Sequence, residues 1–442
     1  MKTKKNKIKI ILVLLLFLSG NSFTQVLTLK ESIELGLKNS KELKIAQSKV
    51  NSADAHVTEM GSQMLPQLKF DASYTRLSEI TPFQISVPFY PTPVVISQPV
   101  LNNYQFKLSL QQPLFTGFRL SSLKSAARYN YEATNYEYES SINEYAYKIQ
   151  EAFFNLYNAQ KINELVNEQL LSINQNVEDT KNFLDNGLVS INDLLKLEVQ
   201  QSNIELKLIE AKNNLDIARM NFNRVIGVKL NSNTEITLDN LTAGLSSYSP
   251  DEIITEAKSN RNELKALEQK VAMTDEGITS AKSTWFPNIY LFSDFYYAHP
   301  NQRIQPNKAR FDDTWDVGVA LNWSLWDWGN TSSKSTQAEE LKIQTETSLS
   351  QLQEAVEIEV YQAYLNYIKS DEKITVSKKA VDQAQENYRI TKEKYDVQLA
   401  TSSELVDAQV YLLQAQTTLT NSLVEFQLAK AKLDKAIGRK IY

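Results

Sequence analysis

Apolar residues recur with a heptad spacing along two long stretches of the chain. The intervals alternate between four and three residues, which is the spacing of a and d positions in a coiled coil. In the first stretch these positions are Tyr138, Ile142, Tyr145, Ile149, Ala152, Leu156, Ala159, Asn163, Val166, Leu170, Ile173, Val177, Thr180 and Leu184. In the second they are Val356, Val360, Ala363, Tyr367, Ile374, Val381, Ala384, Tyr388 and Tyr395. The pattern predicts two long helices, the first from about Leu120 to Leu184 and roughly 97 Å in length.

The distribution of proline agrees with this prediction. All 11 prolines lie within residues 66–113 or 250–306, so residues 114–249 and 307–442 contain none. Because a proline inside a helix costs about 3 kcal/mol, such long intervals without one are typical of continuous helices.

A short turn and a second heptad-patterned segment follow each predicted long helix. The predicted turns are Asp185–Ile191 and Asp396–Ser402. Ser190 precedes Asp193 by three residues, and Thr401 precedes Glu404 by the same interval. This spacing predicts a capping box, in which the hydroxyl accepts a hydrogen bond from a free backbone N–H at the start of the next helix.

Four shorter segments alternate between apolar and polar residues and are predicted to be strands. They are residues 68–75, 106–111, 288–298 and 315–325. Strands of about ten residues can cross a bilayer when tilted, although a soluble hairpin with one face on a core fits the same alternation. Residues 78–102 and 299–312 are expected to be exposed connections. Tryptophans cluster by the last two strands, which predicts a membrane aromatic belt of Trp315, Trp323, Trp326 and Trp328.

The chain is an internal duplication. Residues 114–230 align without a gap with residues 325–441 at an offset of 211. Upstream, an offset of 221 places Asn39 on Asn260 and Pro66 on Pro287. We therefore expect two repeats, each made of a helix, two strands, a long helix and a helix. Their predicted ranges are 25–230 and 250–442, with a linker at 231–249.

The first 24 residues have the pattern of an export signal. Lysines at positions 2, 4, 5, 7 and 9 precede the apolar stretch Ile10–Leu18, and small polar residues follow. A membrane anchor is the alternative, but it requires about 20 apolar residues. We expect cleavage after Ser22 or Thr24.

Composition argues against several function classes. The formal net charge of −5 becomes five units more negative without the lysines of the signal, which disfavours a nucleic-acid partner. The chain has no cysteine, and its two histidines, His56 and His299, are far apart in sequence. The 11 glycines form no phosphate-binding loop. We therefore expect no catalytic residue, no metal site and no cofactor.

Four membrane strands cannot close a barrel, since the smallest bacterial barrels have eight. Open sheet edges in lipid would leave backbone groups unpaired at several kcal/mol each. If these strands enter a membrane, the protein must oligomerise. The export signal and barrel-type strands point to the outer membrane of a Gram-negative cell, with the polar helices in the periplasm.

The chain resembles the outer-membrane efflux protein family, the TolC-like outer-membrane factors, over essentially its whole mature length. The resemblance is carried by the duplicated element order, by Pro113-Leu114-Phe115-Thr116-Gly117, and by turn motifs at residues 186–195 and 397–408. It implies a mainly α fold with membrane β-strands. It further implies a homotrimer in which a twelve-stranded β-barrel is continued by a twelve-helix periplasmic coiled-coil tunnel. The implied partners are a periplasmic adaptor (membrane fusion protein), an inner-membrane transporter and outer-membrane lipid.

The resemblance also implies roles for particular residues. The implied adaptor-docking tips are Gly187, Leu188, Val189, Ser190, Leu399, Ala400 and Thr401. The implied periplasmic aperture gate consists of Glu404, Asp407, Tyr395 and Asp193. Carboxylates repeated around a symmetry axis would form a ring that attracts cations. Local roles, a cap for Glu404 and a solvated charge for Asp407, remain open beside this one.

The turns depart from the family pattern at three positions. Lys196 stands opposite Asp407 in the repeat alignment and could pair with an aperture carboxylate. Leu184 stands opposite Tyr395, and Gln398 occupies a position where the family usually has glycine.

From these features we expect an outer-membrane channel of a tripartite efflux or type I secretion system, a passive conduit from the inner-membrane pump to the exterior. The alternative is a periplasmic coiled-coil adaptor or scaffold protein. Adaptors carry one helical hairpin flanked by β domains, whereas two hairpins are predicted here. An exported hydrolase would need a nucleophile constellation that the sequence lacks.

Overall fold

The computed structural model describes residues 26–97, 99–238 and 248–442. The predicted export signal lies outside these ranges, as do residues 239–247 of the predicted linker. The described chain is mainly helical. Its helices are α1 (Leu29–Asn39), α2 (Lys41–Ser62), α3 (Arg119–Asp185), α4 (Ile191–Val225), α5 (Pro250–Asn260), α6 (Asn262–Lys282), α7 (Asn330–Asp396) and α8 (Ser402–Ile437). Its strands are β1 (Val26–Leu27), β2 (Gln67–Arg76), β3 (Phe83–Ile85), β4 (Val94–Ser97), β5 (Asn102–Thr116), β6 (Glu235–Ile236), β7 (Asn288–His299) and β8 (Asp312–Asn322).

The long helices predicted from the heptads are confirmed. The helices α3 and α7 have 67 residues each, and the helices that follow them have 35 and 36 residues. Both turns fall where the sequence predicts them. No helix in the described ranges is both long and apolar enough to cross a membrane.

The structure differs from the prediction in four places. The strand predicted at 106–111 is longer and runs from Asn102 to Thr116. Two short helices precede each strand pair instead of one, because Ser40 and Arg261 are extended and interrupt the helical backbone. The strand predicted to reach Leu325 ends at Asn322. The connection at 78–102 also contains a two-stranded sheet, β3 with β4. Its five prolines lie outside these two strands, where proline does not remove a ladder hydrogen bond.

Two consecutive residues with positive φ precede each long helix. They are Gly117 (60°) and Phe118 (67°) in the first repeat, and Trp328 (57°) and Gly329 (81°) in the second. A Cβ atom on Gly117 would lie 2.4 Å from the carbonyl oxygen of Ser283, so no larger residue fits there without movement. Each of these two junctions between strand and long helix therefore contains one glycine and one aromatic residue, in opposite order.

The chain divides into two compact units. The sheet unit comprises residues 46–138 and 262–353, and the helical unit comprises the described residues up to 45 together with 139–261 and 354–442.

The sheet unit is built on an antiparallel four-stranded sheet in the order β2-β5-β7-β8. Its register aligns exposed apolar residues in rows, one of which consists of Phe70, Leu108, Phe295 and Trp315. The alternate residues are more polar, and there Lys107 forms an ion pair with Asp294 at 3.0 Å. The sheet thus has an apolar face that no described part of the chain covers and a polar face.

The helical unit has its core between the helices that form the two hairpins. A buried cluster there comprises Val166, Ile173, Val177, Leu194, Leu197, Ile204, Leu208, Ala211, Tyr395, Leu405 and Leu413. The equivalent Gly227 and Gly438, with φ of 73° and 83°, end the second helix of each hairpin. Their absent Cβ atoms allow close approach to Asn39 and Asn260, respectively.

Candidate functional site

The two hairpin turns of the helical unit end their long helices in the same way. Gly187 and Leu188 donate their backbone N–H groups to the carbonyl oxygens of Leu184 and Phe183, at 2.8 and 2.9 Å. In the second turn Gln398 and Leu399 donate to Tyr395 and Lys394, at 2.9 and 2.7 Å. This is the Schellman arrangement, which satisfies the last free carbonyls of a helix and requires positive φ at its first donor residue.

Positive φ is found at both donor positions, 70° at Gly187 and 62° at Gln398. Nothing lies within 4 Å of a Cβ built on Gly187, so its conformation, not its surroundings, favours glycine. The glutamine in the second turn therefore adopts a backbone region that costs a side-chain-bearing residue about 1 kcal/mol.

Capping boxes begin both second helices, as predicted. The hydroxyl of Ser190 accepts from the N–H of Asp193, and the Asp193 carboxylate accepts from both the N–H and the hydroxyl of Ser190. Thr401 and Glu404 form the same pair, with the Thr401 N–H at 2.7 Å from Glu404 Oε2. These bonds to the charged form lower the pKa of both carboxyl groups below their ordinary values.

The two helix starts contact each other through polar side chains. Ser402 Oγ donates to Asp193 Oδ1 at 2.7 Å, and Lys196 Nζ donates to Ser403 Oγ at 3.0 Å. Within the described chain, Lys196 forms no ion pair with Glu404 or Asp407, and its pairing with an aperture carboxylate of another copy stays a prediction. Asp407 is exposed and lies with Lys196 on a groove of about 490 Å³ between the two helix starts.

Tyr395 is buried behind these turns, with 2% of its surface exposed. Its hydroxyl lies 2.7 Å from Thr180 Oγ1, so the bond joins α7 to α3. Burial raises the pKa of this phenol. One turn away, Lys392 forms ion pairs with Asp179 at 2.9 Å and Asp396 at 2.8 Å. Although burial opposes it, the bonds to Asp396 and Asp179 raise the pKa of Lys392.

The predicted docking residues lie on the surface of the turns. Leu188 and Leu399 are 53% and 78% exposed, and Gly187, Ser190 and Thr401 are also exposed. Val189 and Ala400 are half-buried. These exposed leucines are available to a partner.

The predicted aromatic belt divides between two places in the sheet unit. Trp315 lies within β8 on the apolar face, whereas Trp323, Trp326 and Trp328 follow the end of that strand. All four are exposed. The Trp323 indole donates to the carbonyl of Trp285 at 3.2 Å, and the rings of Trp326 and Trp328 lie edge to face at 5.8 Å.

A second aromatic cluster, which the sequence pattern did not reveal, lies at the opposite end of the strands. Phe311 contacts the rings of Tyr297, His299, Tyr104 and Phe106, with centroids 5.0 to 6.4 Å apart. The strand register brings Tyr104 opposite His299 and Phe106 opposite Tyr297. Only tertiary pairing could have revealed this group, because its members come from three segments of sequence.

Other contacts at the turns were also missed. Ser402 and Ser403 have no distinctive spacing in the sequence, and Thr180 was identified only as a heptad position, yet each forms a hydrogen bond with a side chain of the neighbouring hairpin. In the described ranges, no group of three or more His, Cys, Asp or Glu side chains is arranged to hold a metal ion.

Comparison with known proteins gives matches over most of the chain. The TolC outer membrane protein of Vibrio cholerae serotype O1 is 23% identical over 290 residues, which cover 65% of this chain and 66% of that protein. The chain thus spans a little under two thirds of the length of this curated relative.

Two solved structures share the fold. The outer membrane protein VceC from Vibrio cholerae superposes with a TM-score of 0.76 at 18% identity, covering 94% of this chain and 97% of that one. The CmeC outer membrane channel of Campylobacter jejuni gives a TM-score of 0.77 at 18% identity, covering 93% and 85%.

A protein-family model also matches the sequence, and it covers most of the chain. The model described as "Outer membrane efflux protein" matches residues 32–228 and 253–439, one match in each half of the duplication. These two segments include both helical hairpins and all four strands of the main sheet. The chain belongs to the outer membrane efflux protein family.

Proposed function

We propose that this protein is a passive outer-membrane channel of a tripartite efflux or type I secretion system. The observation that carries the proposal is the four-stranded sheet with one apolar face exposed and with β2 and β8 as open edges. In lipid, unpaired edge N–H and C=O groups cost several kcal/mol each, so the edges must be paired with other copies. Three copies supply twelve strands, which close into one barrel.

An exposed apolar stripe on α4 supports assembly from several copies. Its members are Ile191, Leu195, Val199, Leu206, Ile209, Ile217 and Met220. They lie three, four, seven or eight residues apart, on the helix side opposite the buried residues Leu197, Ile204 and Leu208. The helix α7 also exposes Ile358, Leu365, Val376 and Ile390. In the proposed trimer these faces cover one another and build a twelve-helix periplasmic tunnel.

The two turns are the proposed docking surface for a periplasmic adaptor, which connects the channel to an inner-membrane transporter. Their exposed leucines, Leu188 and Leu399, supply apolar contact area, and the Schellman turns hold them in fixed positions. Docking surfaces of this type need rigid apolar anchors more than area.

The aperture gate is proposed at the starts of α4 and α8. Asp193, Glu404 and Asp407 place carboxylates around the groove and the turns. Three-fold repetition would form a negative ring that favours cations. Tyr395, buried against Thr180, is proposed to hold the hairpins together in the closed state. Replacing both Glu404 and Asp407 by alanine should therefore raise conductance or reduce cation block.

The remaining parts of the proposal follow from the same assembly. Residues 1–24 direct export, the repeats 25–230 and 250–442 each supply two strands and one hairpin, and residues 231–249 link them. The aromatic belt formed by Trp315, Trp323, Trp326 and Trp328 contacts outer-membrane lipid. The channel catalyses no reaction, and the transporter supplies the energy.

The experiment is to express the full chain, isolate the outer membrane, and record currents from the purified protein in planar bilayers. We expect outer-membrane fractionation, a detergent-stable trimer and discrete channel conductance. A protein found as a water-soluble monomer without lipid affinity would instead support the periplasmic adaptor or scaffold.

A further inference from the structure

The connection between β2 and β5 extends their hairpin beyond the four-stranded sheet. The Leu77 N–H donates to the carbonyl oxygen of Leu101 at 2.8 Å, directly after the last paired residues of β2 and β5. Pairing resumes with Phe83 opposite Ser97 in β3 and β4 and ends with Ile85 opposite Val94, next to the turn. We name residues 80–97 the outer hairpin. In the described chain its strands pair with each other and with no third strand.

The composition of the outer hairpin is unusual for an exposed connection. From Ile80 to Phe106 the sequence has no Asp, Glu, Lys, Arg or His. The exposed large side chains of the hairpin are Ile80, Phe83, Ile85, Val87, Phe89, Tyr90, Val94, Val95 and Ile96. The connection between β7 and β8, residues 300–311, lies at the same end of the strands and carries Arg303, Lys308 and Arg310.

A two-stranded hairpin with so much exposed apolar surface requires a partner. Isolated hairpins are marginally stable in water, and continuous apolar patches mark interaction surfaces. The strand register puts Ile85 and Val94 on one face and Val95, beside Gln84, on the other. Apolar side chains therefore occupy both faces.

This two-sided pattern favours protein over lipid as the partner. Segments that lie on a membrane surface have one apolar and one polar face, and they use Lys or Arg to bind anionic headgroups. The outer hairpin has neither feature. When identical segments meet around a symmetry axis, each charged side chain lies close to the same side chain of the other copies. Like charges repel, so such segments are expected to be uncharged.

We propose that the outer hairpins of the three copies pack against one another around the trimer axis and cover the exterior end of the channel. This inference rests on the proposed function, since it requires three copies around one axis. Phe89 and Tyr90, at the turn of the hairpin, form the centre of the cluster. Opening exposes these side chains but leaves the pairing of β2 with β5 unchanged.

Because the chain has no cysteine, one introduced thiol gives a unique label. We would introduce Thr92→Cys in the outer hairpin and, as the matched control, Ala309→Cys in the 300–311 connection. The purified trimer in lipid vesicles is treated with a short bismaleimide linker. We expect covalent dimers from Thr92→Cys and only monomers from Ala309→Cys on a denaturing gel.

A nitroxide attached at Thr92→Cys distinguishes the alternative partners. Dipolar broadening between labels is expected for packed hairpins. Dominant relaxation by oxygen would place the hairpin in lipid, and dominant relaxation by a water-soluble nickel complex would place it in solvent. Either of these results overturns the inference. Adding Phe89→Asp and Val95→Asp should abolish the dipolar broadening and raise single-channel conductance, while the trimer remains intact.

The same preparations separate failure of the inference from failure of the proposed function. Trimer formation is measured on the unlabelled protein, and channel conductance is measured in bilayers. A conducting trimer without cross-links or dipolar broadening contradicts only the hairpin contact. A protein that forms no trimer contradicts both proposals.

Discussion

At the scale of single residues, the two turns present one backbone geometry built with different residues. Gly187 and Gln398 occupy the same position in the repeat and both have positive φ, but only glycine adopts this region without cost. Gln398 is held there by two Schellman bonds and by the capping box that follows. The second turn therefore contributes less to the free energy of unfolding than the first.

Exchanging these residues should shift stability in opposite directions. We expect Gln398→Gly to raise, and Gly187→Ala to lower, the free energy of unfolding by about 1 kcal/mol each. Denaturant titration followed by helical circular dichroism measures both, with Val397→Ala, an exposed side chain of the second turn, as the control. Equal and unchanged midpoints for all variants would mean that the φ values carry no cost.

The capping carboxylates should give the protein an acid-sensitive contribution to stability. Bonds from Ser190 and then Ser402 lower the pKa of Asp193, so its contribution is complete above the unfolded value near 3.8. It is lost as the pH falls through the lower folded pKa, because the unfolded state then binds more protons. We expect the thermal midpoint of the wild type to approach that of Asp193→Asn as the pH falls below about 4. A constant difference between the two midpoints at all pH values would contradict this account.

At the scale of elements, the exposed stripe of α4 links sequence pattern to assembly. One side of this helix packs in the core of the helical unit, and the other carries apolar residues that no part of the described chain buries. An isolated helix with two apolar sides is unfavourable in water, so the second side indicates a contact between copies.

Charges in this stripe should prevent trimer formation without unfolding the chain. We expect Leu206→Glu with Ile209→Glu to yield a folded protein that remains monomeric, because burying two carboxylates without partners is prohibitive. Sedimentation in detergent measures the mass, and circular dichroism verifies helix content. Lys212→Glu, an exposed charge change beside the stripe, should leave the trimer intact. Trimers formed by the double variant would show that α4 lies outside the interface.

The elements that sequence predicted well are those with strong local patterns. Heptads and the absence of proline located both ends of α3 to within one residue and the C-terminal end of α7, and the serine and threonine spacing located both capping boxes. The outer hairpin was missed because its prolines and lack of polar alternation hide two short strands. The bonds from Tyr395 to Thr180 and from Ser402 to Asp193 join residues more than 200 positions apart, so no local pattern contains them.

At the scale of the whole molecule, the proposed channel requires one end in the outer membrane and the other on a periplasmic adaptor. The apolar sheet face and the exposed leucines of the turns are separate surfaces, one in the sheet unit and one in the helical unit. Changes at one surface can therefore be tested without damage to the other.

Charging both turns should abolish export while leaving a normal channel. We expect Leu188→Asp with Leu399→Asp to lose transport in cells but to retain trimer formation and conductance in bilayers, since the adaptor contact alone is disrupted. Leu230→Asp, which alters another exposed leucine, serves as the control and should transport normally. Normal export by the double variant would exclude these turns as the docking surface.

The paired left-handed residues before each long helix have a consequence for the history of the duplication. Gly117-Phe118 and Trp328-Gly329 satisfy one geometric demand with reversed composition, so position-by-position identity understates how closely the two halves remain related. What has been inherited at this corner is a shape and a pair of residue types, and the order of the two was free to change.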